Sequence, residues 1–594
     1  MKQTSALARD IVAGRIDVDA PVGAFTFMLH SHLPYARQAG MWPHGEEWVH
    51  EAIAETYVPL LNALFDLREE GVPFRLTIGI TPVLAEQLAD PLIVEHFIAY
   101  AAERAANAAK DVARFDHAGD ATMRDLAKFY HHWYARVLTS FRDRYGSDLL
   151  GAFRTLQDAG LIEIGTSAAT HGYLPLLSRD SSIHGQLHTG VDAYTRHFGR
   201  APQAVWLPEC AYRPAILESE DGQPVRRPGL ESFLAEEGLL VFFSETHTVE
   251  GGQPVGMAVP GTIGPYGMIA RRYASSITPP APDRQMAPGT SLHPYWVGDA
   301  PGQVAVLARH ERTGQQVWSA AFGYPGDFAY REFHRKDSES GLQYWRVSGA
   351  GVDLGRKEPY DPGNAAAQVA SHADHYVKLI EEQLRDYHAR TGNFGSITAS
   401  YDTELFGHWW FEGVDWLKAV LRGLAGRRTV QVSTARQIVE QHPPDQVLSL
   451  PESSWGAGGG HYTWLNDDTN WMWPLIHASE QRMEDSAARF PNADGMRRDV
   501  LNQSARELLL LQSSDWPFLV TTEQAKDYAV ERFQEHLDRF NQLVALAESD
   551  AFTDEDKVYL SALHERDNPF PTIDYRNWAP RQGRAGIAPV AAAG

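Results

Sequence analysis

The chain has 594 residues, 43% of them hydrophobic, enough for several buried cores or one large barrel with additions. A formal net charge of −23 without a basic block excludes nucleic acid or an anionic membrane as the main partner and fits an enzyme acting on a neutral substrate. The lone cysteine, Cys210, excludes an internal disulfide and a cysteine-rich metal site, and with no apolar run of about 18 residues and no apolar leader the expected location is cytoplasmic.

Residues 1–22 read as an extension ahead of the fold. The first strand is expected at Gly23–His30, GAFTFMLH, and its end delivers His30, Ser31 and His32. Two histidines one residue apart point the same way along an extended chain. No Asp or Cys ligand lies near them in sequence, so hydrogen bonds to substrate or core packing are favoured over a metal, and no cofactor is expected. A long helix follows from Glu46 to Glu70, then a strand at Phe74–Ile80. Residues 83–158 are mostly helical, too long for one crossover, and predict an inserted helical subdomain.

A third strand, Leu161–Ser167, empties into a loop carrying His171 and Tyr173. The fourth, Ala204–Leu207, breaks at Pro208 and leaves Glu209 where a parallel strand ends, flanked by Trp206 and Tyr212. Barrel enzymes keep their catalytic groups at such ends, and a carboxylate there can attack a carbon electrophile. The bland alternative is a carboxylate paired with Arg213. Cys210, beside Glu209, could be a reactive thiol, but no His partner is assignable and packing is the simpler reading. A fifth strand, Leu239–Ser244, delivers Glu245 and His247. Residues 251–301 are dense in Gly and Pro, exclude regular structure, and predict either a disordered excursion or a mobile lid.

Strand character returns at Gln303–Arg309, followed by the aromatic loop Val317–Lys336 and a helix over Ala365–Arg390. Gly395–Ser400 is a strand ending in Tyr401, Asp402, Thr403, Glu404 and then His408, Trp409 and Trp410. A second acid at a second strand end, among aromatics, is what a two-carboxylate glycosidase needs. The alternative is that Asp402 caps a helix beginning near Trp409. Thr429–Ser433 and the helix after it complete the sheet near Gln441. From 443 the character changes: a Gly-rich loop holds Trp455, His461, Tyr462 and Trp464 without a phosphate-binding pattern, and helices dominate from Ala478 to Arg566, interrupted at Asp515–Pro517. Residues 581–594 read as a disordered tail.

Five ordered segments, HSHLP (His30–Pro34), EIGTSAATHGYLPL (Glu163–Leu176), WLPECAYRP (Trp206–Pro214), YDTELFGHWWFEG (Tyr401–Gly413) and the Trp455–Asn466 loop, resemble the sequence regions of glycoside hydrolase family 57. Within that family THGYLPLL, YPGDFAYREFHRK and SSDWPFL are similar to the α-1,4-glucan branching enzymes. The resemblance implies an incomplete (β/α)7 barrel over 23–442, the helical insertion, and a C-terminal helical domain over 443–580 that contributes to the cleft. It implies Glu209 as nucleophile and Asp402 as acid/base of a retaining transfer that cleaves an α-1,4 linkage and forms an α-1,6 branch. It also places His30, His32, His171, Trp206, Trp318, His408, Trp455, Trp464 and Asp515 around the glucan, Trp42 in an aromatic gate, and Tyr266 on a mobile loop that favours transfer. The alternatives are a 4-α-glucanotransferase or α-amylase-type hydrolase of the same family, and a glucan-binding protein without turnover.

Overall fold

The computed structural model describes residues 20–220, 223–252, 289–298, 300–318, 323–349 and 351–580. Most of the N-terminal extension, the tail, and Tyr266 with its expected lid lie outside them. The strands in chain order are β1 (Gly23–Ser31), β2 (Leu76–Ile80), β3 (Ile162–Ser167), β4 (Ala204–Trp206), β5 (Ile216–Glu220), β6 (Gln223–Arg227), β7 (Val241–Ser244), β8 (Tyr295–Val297), β9 (Ala305–Ala308), β10 (Gly395–Asp402), β11 (Val430–Val432) and β12 (Val447–Leu448).

Seven of them run parallel in the order β10-β1-β2-β3-β4-β7-β9 and curl into an incomplete barrel. Beyond β9 the backbone N–H of His310 donates to the Thr398 carbonyl at 2.9 Å, and a parallel bridge joins Arg309 to Thr398, so the two edges meet at one point. Strands such as LTIGI and VFFS are buried along their length, as parallel strands covered on both faces must be. β11 adds parallel to β1, β8 antiparallel to β9 and β12 parallel to β8, while β5 and β6 form a separate hairpin.

Helices Pro82–Ala89, Pro91–His117, Ala121–Thr139 and Leu149–Asp158 fill the β2–β3 connection. Three start on aspartates, Asp90, Asp120 and Asp148, whose side chains accept first-turn N–H groups that the helix leaves unpaired. The helix expected over Glu46–Glu70 is interrupted by a buried π-helical stretch, Ile53–Tyr57, which turns Glu55 and Tyr57 inward. Helices Met472–Arg489, Gly495–Leu511, Asp515–Thr522, Lys526–Ala547 and Asp554–Arg566 follow the sheet. Their apolar faces share one hydrophobic cluster with β4, β7 and β9, so they are continuous with the barrel core. Among the described residues no helix is long and apolar enough to cross a membrane.

Two expectations are corrected. Residues 251–301 are not irregular throughout: Tyr295–Val297 is β8, held by Ala305 and Val306 of β9. No helix begins near Trp409, because Gly407 turns the chain at φ 103° and the next helix starts at Gly413. A Cβ on Gly407 would lie 1.9 Å from the Glu55 carbonyl oxygen, whereas one on Gly392, also at positive φ, would meet nothing within 4 Å. Gly392→Ala should therefore cost about 1 kcal/mol, the positive φ alone, and Gly407→Ala distinctly more. Melting temperatures of the two variants test this; equal losses would remove the close backbone approach as the reason for Gly407.

Candidate active site

All seven barrel strands end on one side, and that rim carries the candidate residues: His30 near the end of β1 and His32 after it, His171 after β3, Glu209 after β4 and Asp402 at the end of β10, with Thr81 after β2 beside them. The register pairs His30 with Asp402 and Ser167 with Trp206.

Glu209 sits in a turn that L residues rarely adopt. Pro208 ends β4, and Glu209 (φ 61°) and Cys210 (φ 50°) then take left-handed conformations, a costly geometry that marks functional positions. Tyr212 and Ser453 exchange backbone hydrogen bonds of 2.8 and 3.0 Å, which lays the 453–455 segment along the turn. Trp455 donates its backbone N–H to the Glu209 carbonyl at 3.1 Å and its indole N–H to Glu209 Oε2 at 2.8 Å. Oε1 accepts from the Ser514 hydroxyl at 2.9 Å, at the head of helix Asp515–Thr522. Burial pushes the carboxyl up to about 7; the Trp455 and Ser514 bonds hold it from rising further.

Beside it three imidazoles stack, with ring centroids 3.9 Å apart for His32 and His171 and 5.0 Å for His30 and His171. His30 Nε2 meets His171 Nε2 at 3.1 Å, His171 Nδ1 meets Ser514 Oγ at 2.9 Å, and Trp206 stacks on His30 at 4.8 Å. Burial, reinforced by His32, holds His30 and His171 well below the ordinary histidine range. His32 is half-buried, and although desolvation opposes its protonated form, the Asp515 carboxylate at 3.0 Å raises it. Within the stack the protonated form is therefore favoured at His32 and disfavoured at His30 and His171. The His32 ring nitrogens meet Thr81 Oγ1 at 3.1 Å and Asp515 Oδ2 at 3.0 Å.

Asp402, half-buried at the end of β10, makes no capping hydrogen bond to the turn after it, which removes the helix-cap reading. Glu404, two residues on, is buried against the Tyr57 hydroxyl and pushed up to about 7 by burial. Trp318 lies 6.5 Å from Tyr401, the neighbour of Asp402. The remaining aromatics separate. Trp464 is buried, stacked 4.5 Å from Tyr173, and so is a floor beneath the rim. Trp42 is 77% exposed on the loop before helix Glu46–Ala52. His408 faces Glu55 Oε2 at 3.3 Å and Glu51 at 3.7 Å, in a buried network with Arg331 apart from the histidine stack. Cys210 is buried, and burial raises its thiol well above its usual range, which favours packing over the reactive-thiol reading. Sequence reasoning missed Ser514, Glu404 and Tyr57; the SSDWP segment contained the first, but nothing local marked its serine as a carboxylate partner.

Residues 26–451 match the family described as glycosyl hydrolase family 57, and residues 475–578 the one described as 1,4-alpha-glucan branching enzyme, C-terminal. The chain belongs to glycosyl hydrolase family 57. It is similar to the 1,4-alpha-glucan branching enzyme of Thermococcus kodakarensis, 44% identical over 560 residues, 93% of this chain and 78% of that protein. The crystal structure of the family 57 branching enzyme from that organism superposes with a TM-score of 0.84 at 42% identity, covering 94% of this chain and 97% of the other. The branching enzyme of Pyrococcus horikoshii gives 0.83 at 40% over 94% and 98%. The family 57 fold extends to the alpha-amylase AmyC of Thermotoga maritima, with a TM-score of 0.77 at 30% identity over 94% and 99%.

The burial of Glu209 has a measurable consequence. Its carboxyl is pushed from 4.5 to about 7 on folding, so the folded state holds the proton more tightly and stability falls as pH rises through that window. Glu209→Gln, neutral at every pH, should be more stable than the parent at pH 8, by on the order of 3 kcal/mol, with the gap closing below pH 4.5. Unfolding midpoints across pH 4–8 check this, and a gap independent of pH would mean that Glu209 is not held neutral by burial.

Proposed function

We propose that the chain is a 1,4-α-glucan branching enzyme in which Glu209 is the nucleophile and Asp402 the acid/base. What carries the activity is identity of 44% to a branching enzyme across nearly the whole chain, together with the match of residues 475–578 to the branching-enzyme C-terminal family. The substrate is an α-glucan, and the buried lone cysteine fits a reducing, cytoplasmic setting.

The chemistry follows from the rim. Asp402 gives its proton to the glycosidic oxygen as the C1–O4 bond breaks, and ionised Glu209 forms a bond to C1, leaving a covalent glycosyl-enzyme. The trimmed chain departs. A glucan 6-hydroxyl then passes its proton to Asp402 as its oxygen attacks C1, and Glu209 leaves as carboxylate. Trp455 and Ser514 fix both oxygens of the nucleophile, so little reorientation is needed at the moment of attack. The neutral state of His30 and His171 matters too: they can hydrogen-bond sugar hydroxyls without repelling the positive charge that develops on the ring. His32, where protonation is favoured, faces the Asp515 carboxylate at 3.0 Å. Similarity to an alpha-amylase favours a second reading, in which water replaces the 6-hydroxyl.

Incubation with linear amylose separates the readings. New α-1,6 linkages, counted by proton NMR, should outnumber new reducing ends, and Glu209→Gln and Asp402→Asn should each lose activity by at least about a thousandfold. Reducing ends without α-1,6 signal would establish hydrolysis instead. The ionisation of Glu209 predicts that kcat/KM rises with pH through about 7. Trp455→Phe removes one donor to the carboxylate, so this limb should move to higher pH while kcat/KM falls by about 10- to 100-fold. An unshifted limb would assign the titration to another group.

A further inference from the structure

Among the described residues, three histidine–carboxylate groups outside the rim have ligand atoms within 4.8 Å of one another: Glu46, His50 and His96; His184, His188 and Glu237; and Glu507, His536 and Asp567. The last is a closed network: His536 is bonded to both Glu507 and Arg532, and Arg539 pairs with Asp567, so the histidine and Asp567 already have their partners. In the second, both histidines turn Nδ1 toward Glu237 and the carboxylate is already shared.

The first differs. His50, inside helix Glu46–Ala52, is fully buried, and neither ring nitrogen has a hydrogen-bond partner among the described residues. A buried imidazole without partners forgoes free energy that folding ordinarily recovers, and such a group needs a reason. Its Nε2 faces Glu46 Oε2 at 3.7 Å, one helical turn back. The same oxygen accepts from His96 Nδ1 at 2.5 Å, which comes from helix Pro91–His117. Glu46 is itself buried, so its carboxylate faces both imidazoles away from solvent.

We propose that Glu46, His50 and His96 bind a divalent transition metal of the zinc type, with water in the remaining position. Two imidazoles and one carboxylate are a donor set that Zn2+ accepts, at bond lengths of about 2.0–2.2 Å and donor separations of about 3.3 Å in tetrahedral geometry. The separations from Glu46 Oε2, 2.5 and 3.7 Å, bracket that value. The His96 side chain, 34% exposed, can move outward to open the shorter contact and gives the ion a way in. Outer contacts are in place, since Glu46 Oε1 accepts the backbone N–H of Gln38 at 2.7 Å and the Glu46 N–H donates to the Gly40 carbonyl at 3.0 Å. The metal would thus tie the loop bearing exposed Trp42 to a helix of the β2–β3 insertion.

The test uses the full-length chain with no affinity tag, stripped with chelator and titrated with ZnCl2 by calorimetry, with Co2+ absorption as the second probe. His96→Gln, at a partly exposed position, should bind one equivalent fewer than the parent, or bind it at least about a hundredfold more weakly. A His184→Gln, His188→Gln double variant should bind the same equivalent as the parent. The parent's melting temperature should rise with Zn2+, and that of His96→Gln should rise less. Unchanged binding in His96→Gln, loss confined to the His184/His188 variant, or no Zn2+ bound by the parent would each overturn the site.

Discussion

The position of Glu209 depends on a double constraint: each carboxylate oxygen is held by a segment hundreds of residues away in the chain. Oε2 is fixed by Trp455, 246 residues on, and Oε1 by Ser514, 305 residues on. Neither contact is possible until the loop after the sheet has zipped onto Tyr212 and the C-terminal helices have docked. The barrel alone supplies the backbone of the site but not its electrostatics. Without the two donors burial would drive the carboxyl still higher, and a protonated acid is no nucleophile.

The same economy of charge runs through the rim. Three imidazoles in contact could not all be protonated: burial holds His30 and His171 below the ordinary histidine range, although His171 Nδ1 lies 3.7 Å from Glu209 Oε1, while the closer Asp515 carboxylate, 3.0 Å away, raises His32. Glu404 is shielded by the Tyr57 hydroxyl, and His408 is drawn aside to Glu55, which Arg331 also neutralises. These side chains are thus bonded to one another locally, leaving a site whose polar groups can orient a neutral sugar.

Strands were legible because seven parallel strands covered on both faces leave short apolar runs, and each run led to its rim residue by simple counting. His30, His171, Glu209 and Asp402 follow from that pattern alone. The rest is non-local. Trp464 and Trp455 share one Gly-rich loop and look alike in sequence, yet one stacks beneath Tyr173 and the other grips the candidate nucleophile. His408 reads as a rim residue because it follows Asp402 by six positions, but Gly407 turns the chain away from the rim and toward Glu55. β8 hid in a segment dense in Gly and Pro because three residues carry too little periodicity to stand out.

Left-handed backbone at Glu209, Cys210 and His171 costs on the order of 1–3 kcal/mol at each residue. Summed, that strain is comparable to the whole net stability of a typical domain, about 5–15 kcal/mol. It persists only where surrounding structure over-determines it. Here the continuous cluster joining β4, β7 and β9 to the helices after Met472 does so, because the helix carrying Ser514 and Asp515 at its head cannot withdraw without exposing Trp516, Leu519 and Val520. The packing that completes the core is the packing that holds the candidate nucleophile in its strained turn, so a substitution that loosens those helices should be felt at Glu209 before it is felt in the barrel strands.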